Sequence, residues 1–197
     1  MLTKNTINHS PTAILLIENG DIYWGYGLGI KKSVIGELCF NTSQTGYQEI
    51  LTDPSYANQI ITFTFPHIGV VGTNKLDNES SKIHASGCVI SQHSNFESNW
   101  RSEESLNSFF IKNNVVCIYG IDTRQLTRLL SKKGPMKAMI INFNKKISNF
   151  KNFQKKINEW PGLKNTELAK IVTTKKSYPW KENLWVHKKQ NKKIVID

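Results

Sequence analysis

The sequence predicts an α/β fold, and three observations support this class. Hydrophobic residues make up 39% of the 197 positions, enough to form the core of one domain of ordinary size. The N-terminal part has the pattern of a β-hairpin followed by further strands. From about residue 87 onward, strand-like and helix-like segments alternate, which is typical of α/β folds.

The first elements form a predicted hairpin. Ala13–Ile17 is an uninterrupted apolar run, Asn19-Gly20 is the strongest two-residue turn signal, and Ile22–Gly25 returns along the first strand. A glycine then occupies every second position from 25 to 29. Such a run can cradle a phosphate only between a strand and a helix N-terminus. No helix start follows, so we predict a bend in an extended segment.

The middle of the chain contains two predicted strands and a long polar connection. Gly36–Asn41 and Gln59–Phe65 have strand patterns. The stretch from Asn41 to Tyr56 is polar and rich in turn formers, so we predict a long ordered loop, a kind of segment that is often functional. Asp53-Pro54-Ser55-Tyr56 within it predicts a turn, because proline presets the backbone angle.

The later part alternates strands and helices. Ser102 is a suitable N-cap for a helix ending near Lys112, because Glu103 and Glu104 place negative charge in its first turn. Asp122 and Gln125 form a capping-box pattern for a second helix, which Gly134-Pro135 ends. The further predicted elements are strands Gly87–Ser91, Val115–Tyr119 and Met136–Asn142, helix Thr123–Lys133, and two basic helices near Ile147–Trp160 and Thr166–Val172.

The net charge of +11 lies almost entirely in the last quarter of the chain. Residues 145–197 carry 14 lysines and 4 acidic residues, whereas residues 1–144 carry 12 basic and 11 acidic residues. Arginine, which base and phosphate recognition favours for its bidentate geometry, is absent from residues 145–197. We favour a solvated lysine-rich surface; docking on an acidic partner and binding to nucleic acid are the alternatives.

Composition also predicts the compartment. No apolar run approaches the roughly 20 residues needed to span a bilayer, and the first residues lack the apolar stretch of a secretory signal. We therefore expect a soluble cytoplasmic protein without membrane contact. Cys39, Cys88 and Cys117 are widely spaced and each lies in an apolar stretch, which predicts three reduced core thiols.

The residues alone indicate no catalytic centre. The sequence contains no G-x-S-x-G or G-x-C-x-G nucleophile elbow, no Walker A motif and no dinucleotide fingerprint. Its five histidines lack metal-ligand spacing. His67, which follows Pro66 at a strand end, is the most interesting of them, but a structural role is favoured over a catalytic one. Composition and spacing therefore support an α/β domain without naming an enzyme.

Three stretches resemble a known family. They are 36–56, which contains F-N-T-S-Q-T-G-Y-Q-E-I-L-T-D-P-S-Y, then 59–74, and 120–130 with G-I-D-T-R-Q-L-T-R-L-L. With Ser98–Ser102 and Pro161-Gly162-Leu163, they resemble the N-terminal domain of the small, glutamine-hydrolysing subunit of carbamoyl-phosphate synthetase over roughly residues 12–180. The resemblance implies a swivelling three-layer β/β/α domain, with mixed sheets and helices on one side.

The resemblance also implies a domain organisation. Residues 1–11 are expected to be a flexible N-terminus, 12–145 the β/β/α domain, and 146–190 a basic helical extension and linker. Residues 191–197 are expected to begin a class I glutamine amidotransferase domain, since the last residues have the pattern of a strand just starting. The Cys-His-Glu triad of that domain would lie outside the chain, and none of the three cysteines sits in an elbow that could replace it.

The function implied for the whole enzyme is ATP-dependent synthesis of carbamoyl phosphate from glutamine and bicarbonate, for arginine and pyrimidine biosynthesis. The small subunit would release ammonia, which passes through a tunnel to the large subunit, where ATP and magnesium bind. We expect no catalytic residue, metal or cofactor in this chain and no activity of the chain alone. The expected partners are the large subunit, the glutaminase domain and L-glutamine.

Ser55 is the one site residue that the resemblance implies. It matches a family position that contacts glutamine, and a hydroxyl on a proline-rigidified turn can hydrogen-bond at low entropic cost. A turn-stabilising serine is the alternative. Asp122, Arg124 and Arg128 are assigned to capping and surface pairing. The sequence departs from the family at Gln44, where methionine is common, and at Cys88, where a larger aliphatic residue is common.

A hypothesis from a different class is a free-standing basic module that binds RNA or an acidic protein through residues 145–197. RNA-binding proteins interleave aromatic residues with arginine. This segment has lysine with only scattered phenylalanine and tryptophan, so nucleic acid is the less favoured partner.

Overall fold

The computed structural model describes residues 10–143, 150–164, 166–174 and 176–179 of the chain. The strands are β1 Ala13–Ile17, β2 Ile22–Gly29, β3 Ser33–Asn41, β4 Gln59–Phe63, β5 Gly87–Ile90, β6 Val116–Tyr119 and β7 Met136–Asn142. The helices are α1 Tyr47–Thr52, α2 Leu106–Lys112, α3 Thr123–Lys133, α4 Phe150–Glu159 and α5 Leu168–Val172, with a 3-10 turn at Pro54–Tyr56.

The seven strands form one closed barrel in the order β1-β2-β6-β5-β4-β3-β7. The pairs β3–β4, β4–β5 and β5–β6 are parallel. The pairs β1–β2, β1–β7, β2–β6 and β3–β7 are antiparallel. The predicted α/β class with mixed strand directions is confirmed. The sheet, however, closes on itself because β1 pairs with β7 and β2 with β6, so it differs from the implied layering of separate sheets.

Apolar side chains on alternate strand positions fill the barrel. Ala13, Leu15 and Ile17 of β1 belong to one buried cluster with inward-facing residues of β3 to β7. Leu126 and Leu130 of α3 join the same cluster. A helix can contact side chains inside a closed barrel only at one of its two ends. Helix α3 therefore covers one end of the barrel.

The other helices cover the outside of the barrel in different places. Helices α1 and α2 pack on the outer faces of β4, β5 and β6, where Phe63, Leu106 and Phe110 are buried together. Helix α4 packs on β1 and β7 through Ile157. The helices therefore do not lie on one side of the sheet, which corrects the arrangement that the resemblance implied.

Elements with strong local signals are confirmed at the residue level. Strands β1 and β7 and helix α3 have the predicted bounds. Asp122 caps α3 by accepting a hydrogen bond from the Gln125 backbone N–H at 2.9 Å. In this part of the chain, capping and apolar patterning determine the structure locally.

Two predictions near helices were wrong. The predicted loop after Asn41 contains α1, a six-residue helix too short to show a periodic pattern, which is stabilised by burial of Tyr47 and Leu51. Helix α2 begins after Ser105 rather than Ser102, because the Ser105 hydroxyl accepts a hydrogen bond from the Ser108 N–H at 3.1 Å.

Strand β2 continues to Gly29 instead of bending after Gly25. A Cβ atom at Gly25 would lie 2.4 Å from the Tyr119 carbonyl oxygen, so glycine permits the close approach of β2 and β6. The alternating glycines therefore serve strand packing.

Several predictions fall wholly or partly outside the described residues. These are the flexible N-terminus, apart from residues 10 and 11, the strand start at 191–197, and the beginning of the helix near Ile147, whose described part is α4. The domain boundaries stay predictions. None of the helices in the described part of the chain is long and apolar enough to cross a membrane.

Candidate functional site

Ser55 lies on an exposed 3-10 turn that its neighbours fix in place. The Asp53 carboxylate accepts a hydrogen bond from the Ser55 N–H at 2.8 Å, and the Asp53 carbonyl accepts one from Tyr56 at 3.1 Å. Ala57 forms an isolated β-bridge with Ala85, which anchors the end of the turn. The Ser55 hydroxyl has no hydrogen-bond partner among the described residues, so it is free to contact a ligand.

A side-chain hydrogen bond links this turn to the end of β3. Asn41 Nδ2 donates to the Tyr56 hydroxyl at 2.9 Å, and Asn41 Oδ1 accepts from the Ser43 N–H at 2.8 Å. Asn41 and Tyr56 stand near the beginning and at the end of the F-N-T-S…D-P-S-Y run. The two ends of the run are therefore joined by this hydrogen bond, and α1 lies between them in the sequence.

The other polar residues of the run hold the loop that follows β4. The Tyr47 hydroxyl donates to the Gly72 carbonyl, and Gln48 donates to Asn78 Oδ1 at 2.7 Å. Gln48 Oε1 also accepts from the Asn74 N–H at 3.0 Å. Tyr47 and Gln48 are buried, so these bonds fix the loop against α1.

Thr52 holds the next part of the same loop, around residues 79 and 80. Its hydroxyl accepts a hydrogen bond from the Glu79 N–H at 2.8 Å, and its carbonyl accepts one from the Ser80 hydroxyl at 2.6 Å. The Leu51 carbonyl accepts from the His84 N–H at 3.0 Å. Sequence reasoning identified the run but missed these structural roles, because they depend on residues 25 to 33 positions away.

Two titratable side chains on and near the run have pKa values shifted mainly by burial. Burial and the nearby Lys82 lower the pKa of His84, while Asp53 opposes the shift. Burial raises the pKa of the Glu49 carboxyl, which is partly offset by a backbone hydrogen bond. No described serine or cysteine side chain is hydrogen-bonded to the His84 ring, so the described residues show no activated nucleophile beside the turn.

His67 lies twelve positions after Ser55, in the loop that follows β4. It is exposed and its ring makes an edge contact with Phe65, at 5.4 Å between centroids. With His93 and other residues it lines a cavity of about 260 Å³. No side-chain hydrogen bond joins His67 to a described residue, so its predicted structural role stays a prediction.

The cysteines are free thiols, but only two of the three are core residues as predicted. Cys88 and Cys117 are fully buried, whereas Cys39 is half-buried on the outer face of β3, which corrects the prediction for that residue. Burial, reinforced by the Glu37 carboxylate, raises the pKa of the Cys39 thiol to about 12. Burial also raises the pKa of Cys117.

We expect the folded chain to resist thiol reagents. The thiolate is the reactive form, and at pH 8 a thiol with a pKa of about 12 is ionised only to ~10⁻⁴. Labelling with a chromogenic disulfide reagent at pH 8 should be slow in the folded chain and should reach all three thiols in urea. Rapid labelling of Cys39 in the folded chain would contradict this expectation.

No group of three or more histidine, cysteine, aspartate or glutamate side chains in the described ranges could hold a metal ion. The site as described is therefore a hydrogen-bonding turn supported by α1 and by the loop that the run anchors.

The comparisons with known proteins point to one family. The model of the carbamoyl-phosphate synthase small chain, CPSase domain, matches residues 15–140. The carbamoyl phosphate synthase small chain of Photobacterium profundum is 47% identical over 179 residues, covering 89% of this chain and 45% of the relative. The small chain of Salmonella typhimurium is 48% identical over 177 residues, covering 90% of this chain and 46% of the relative.

Among solved structures, an aminopeptidase from Aneurinibacillus sp. strain AM-1 aligns with a TM-score of 0.39 and 14% identity, over 68% of this chain and 31% of that one. A likeness this weak supports no conclusion about fold or function. The chain spans less than half the length of the curated relatives it matches, and it matches their N-terminal part. Its sequence thus belongs to the carbamoyl-phosphate synthase small chain family.

Proposed function

We propose that this chain acts as the N-terminal domain of a glutamine-dependent carbamoyl-phosphate synthase small chain. In that role it supports glutamine hydrolysis and the delivery of ammonia to a large chain. The observation that carries the proposal is the free hydroxyl of Ser55, which is exposed on a turn held by Asp53 and Tyr56. Family membership over residues 15–140 supports it.

The chemistry assigned to Ser55 is a hydrogen bond to L-glutamine. Pro54 and the Asp53 carboxylate already restrict the turn, so little conformational entropy is lost when the substrate is bound. The nucleophile and its base would come from the part of the small chain that this sequence does not span. ATP and magnesium would bind to the large chain, and the carbamoyl phosphate would serve cytoplasmic arginine and pyrimidine biosynthesis.

Replacing Ser55 by alanine should weaken glutamine binding. The test uses a chimeric small chain in which this sequence replaces the matched part of the Photobacterium profundum small chain, assembled with the large chain of that organism. Loss of one hydrogen bond, worth about 0.5–1.5 kcal/mol, should raise the glutamine KM about 2- to 13-fold. Synthesis driven by ammonia should not change, because it bypasses the glutamine site.

The matched control is Ser43→Ala, which removes an exposed hydroxyl from the same F-N-T-S…D-P-S-Y run. The Ser43 side chain holds no hydrogen bond to another described residue, so the control should leave the glutamine KM unchanged. An unchanged KM in Ser55→Ala, in an assay where KM reports binding, would remove Ser55 from the glutamine site.

A further inference from the structure

The three cysteines lie in one row across four neighbouring strands. Cys39 of β3 is in register with Ile61 of β4. Ile61 is in register with Cys88 of β5, and Cys88 with Cys117 of β6. Residues paired in this way project to the same face of a sheet, and all four side chains contribute to the cluster on the outer face of the barrel.

The register brings only one pair of thiols within reach of a disulfide. Neighbouring strands lie about 4.7–4.9 Å apart, and the Cα atoms of a disulfide lie about 4.4–6.8 Å apart. Cys88 and Cys117 are directly paired on neighbouring strands, so their backbones already have this spacing. Cys39 is two strands away from Cys88, at about 9.4–9.8 Å, which is too far for a bond without a shift of the backbone.

The two thiols also influence each other in the folded chain. Burial raises the pKa of the Cys117 thiol, and the neighbouring Cys88 thiol raises it further. Both side chains are 0% exposed and pack in the same cluster as Phe109 and Phe110 of α2. Because the strands hold the two sulfur atoms together, closing a disulfide requires mainly rotation about side-chain bonds.

A bond between these residues would enclose a defined part of the fold. The segment from Cys88 to Cys117 is 30 residues long and contains the loop after β5 together with α2. A covalent link that closes such a segment restricts the unfolded chain, which favours the folded state. The bond would therefore hold β5, α2 and β6 together as one unit.

We infer that Cys88 and Cys117 are a redox-active pair, which a hydroperoxide converts to an intramolecular disulfide while Cys39 remains unlinked. This covalent modification site is separate from the turn that carries Ser55, and the inference does not depend on the proposed function.

The oxidation balances with hydrogen peroxide as the oxidant. The sulfur of one cysteine, after losing its proton, attacks a peroxide oxygen. The O–O bond breaks, which gives a sulfenic acid and one water. The second thiol loses its proton and attacks the sulfenic sulfur, so the S–S bond forms, the S–O bond breaks and a second water leaves. Two thiols lose two electrons to one peroxide, and the products are one disulfide and two waters.

The burial of the pair makes this reaction slow and determines which reagents reach it. The thiolate is the reactive form, and burial disfavours it at Cys117. Hydrogen peroxide is little larger than water, so brief local openings of the sheet expose the pair to it. A bulky aromatic disulfide reagent needs a larger opening, which agrees with the slow labelling expected for the reduced chain.

The test is oxidation of the folded 197-residue chain with hydrogen peroxide, followed by alkylation of the remaining thiols in urea and digestion with trypsin. Trypsin cleaves after lysine and arginine, so the three cysteines fall in separate peptides, 33–75, 83–101 and 113–124. We expect 83–101 linked to 113–124, with a mass lower than the sum of the two by two hydrogen atoms. Linked species that contain 33–75 should be at least tenfold less abundant.

The controls are single substitutions in the same row. Cys39→Ser should form the linked peptides as the wild type does, whereas Cys88→Ala and Cys117→Ala should form none of them. Oxidation of the wild-type chain in urea should produce links to 33–75 as well, because the register no longer selects a pair.

The stability of the oxidised chain tests whether the bond fits the folded sheet. Its urea midpoint should fall when dithiothreitol reduces the disulfide, because the 30-residue segment is then no longer closed. Three results would overturn the inference. They are the absence of linked 83–101 and 113–124 after oxidation of the folded chain, links to 33–75 in equal abundance, and a urea midpoint that rises on reduction.

Discussion

Replacing Phe110 by alanine is expected to lower the free energy of unfolding by about 3–5 kcal/mol. Phe110 is fully buried, and it joins α2 to the outer faces of β4, β5 and β6. The substitution removes a large apolar side chain and leaves a cavity where three strands and a helix meet. Urea unfolding followed by circular dichroism measures the change.

The control for this prediction is the next residue along α2. Ile111 is half exposed, so Ile111→Ala removes apolar atoms from the same helix without opening a cavity. We expect a change within about 0.5 kcal/mol, as for most surface substitutions. Similar losses of stability in the two variants would contradict the packing of α2 described here.

Replacing Gln48 by leucine is expected to lower the free energy of unfolding by about 2–4 kcal/mol. Leucine has a similar size, but the change removes the hydrogen bonds of Gln48 to the Asn74 backbone and to Asn78. Each bond contributes about 0.5–1.5 kcal/mol, and the groups left without partners add their own desolvation cost. We expect this loss of global stability to be accompanied by easier local opening of the loop after β4.

Limited proteolysis distinguishes the local effect. Trypsin should cleave after Lys75 and Lys82 faster in Gln48→Leu than in the wild type, because the loop loses its attachment to α1. Gln44→Leu, at an exposed position of the same run, should leave both the cleavage rate and the stability unchanged. Equal cleavage rates in Gln48→Leu and in the wild type would show that this loop is held by other contacts.

The sequence predicted the elements whose causes are local. The Asn19-Gly20 turn, the Asp122 cap and the apolar runs of β1 and β7 act over a few residues, so their patterns are visible in the chain. Closure of the barrel could not be predicted in this way. It depends on pairs such as Ala13 with Asn142, which lie 129 positions apart.

In the candidate site, too, features with local causes were predicted and features that depend on tertiary contacts were not. The turn at Ser55 followed from Asp53 and Pro54, and its exposure agrees with a ligand-contacting role without testing it. Helix α1 and the hydrogen bond between Asn41 and Tyr56 were missed because they arise from tertiary contacts.

Glutamine-dependent synthesis of carbamoyl phosphate by the chimeric complex is the decisive measurement for the proposed function. The complex contains this sequence joined to the C-terminal part of the Photobacterium profundum small chain, together with the large chain. We expect carbamoyl phosphate formation from glutamine as well as from ammonia, and no glutamine hydrolysis by the 197-residue chain alone. A complex that assembles and uses ammonia but forms no carbamoyl phosphate from glutamine would rule out the proposed function of this chain.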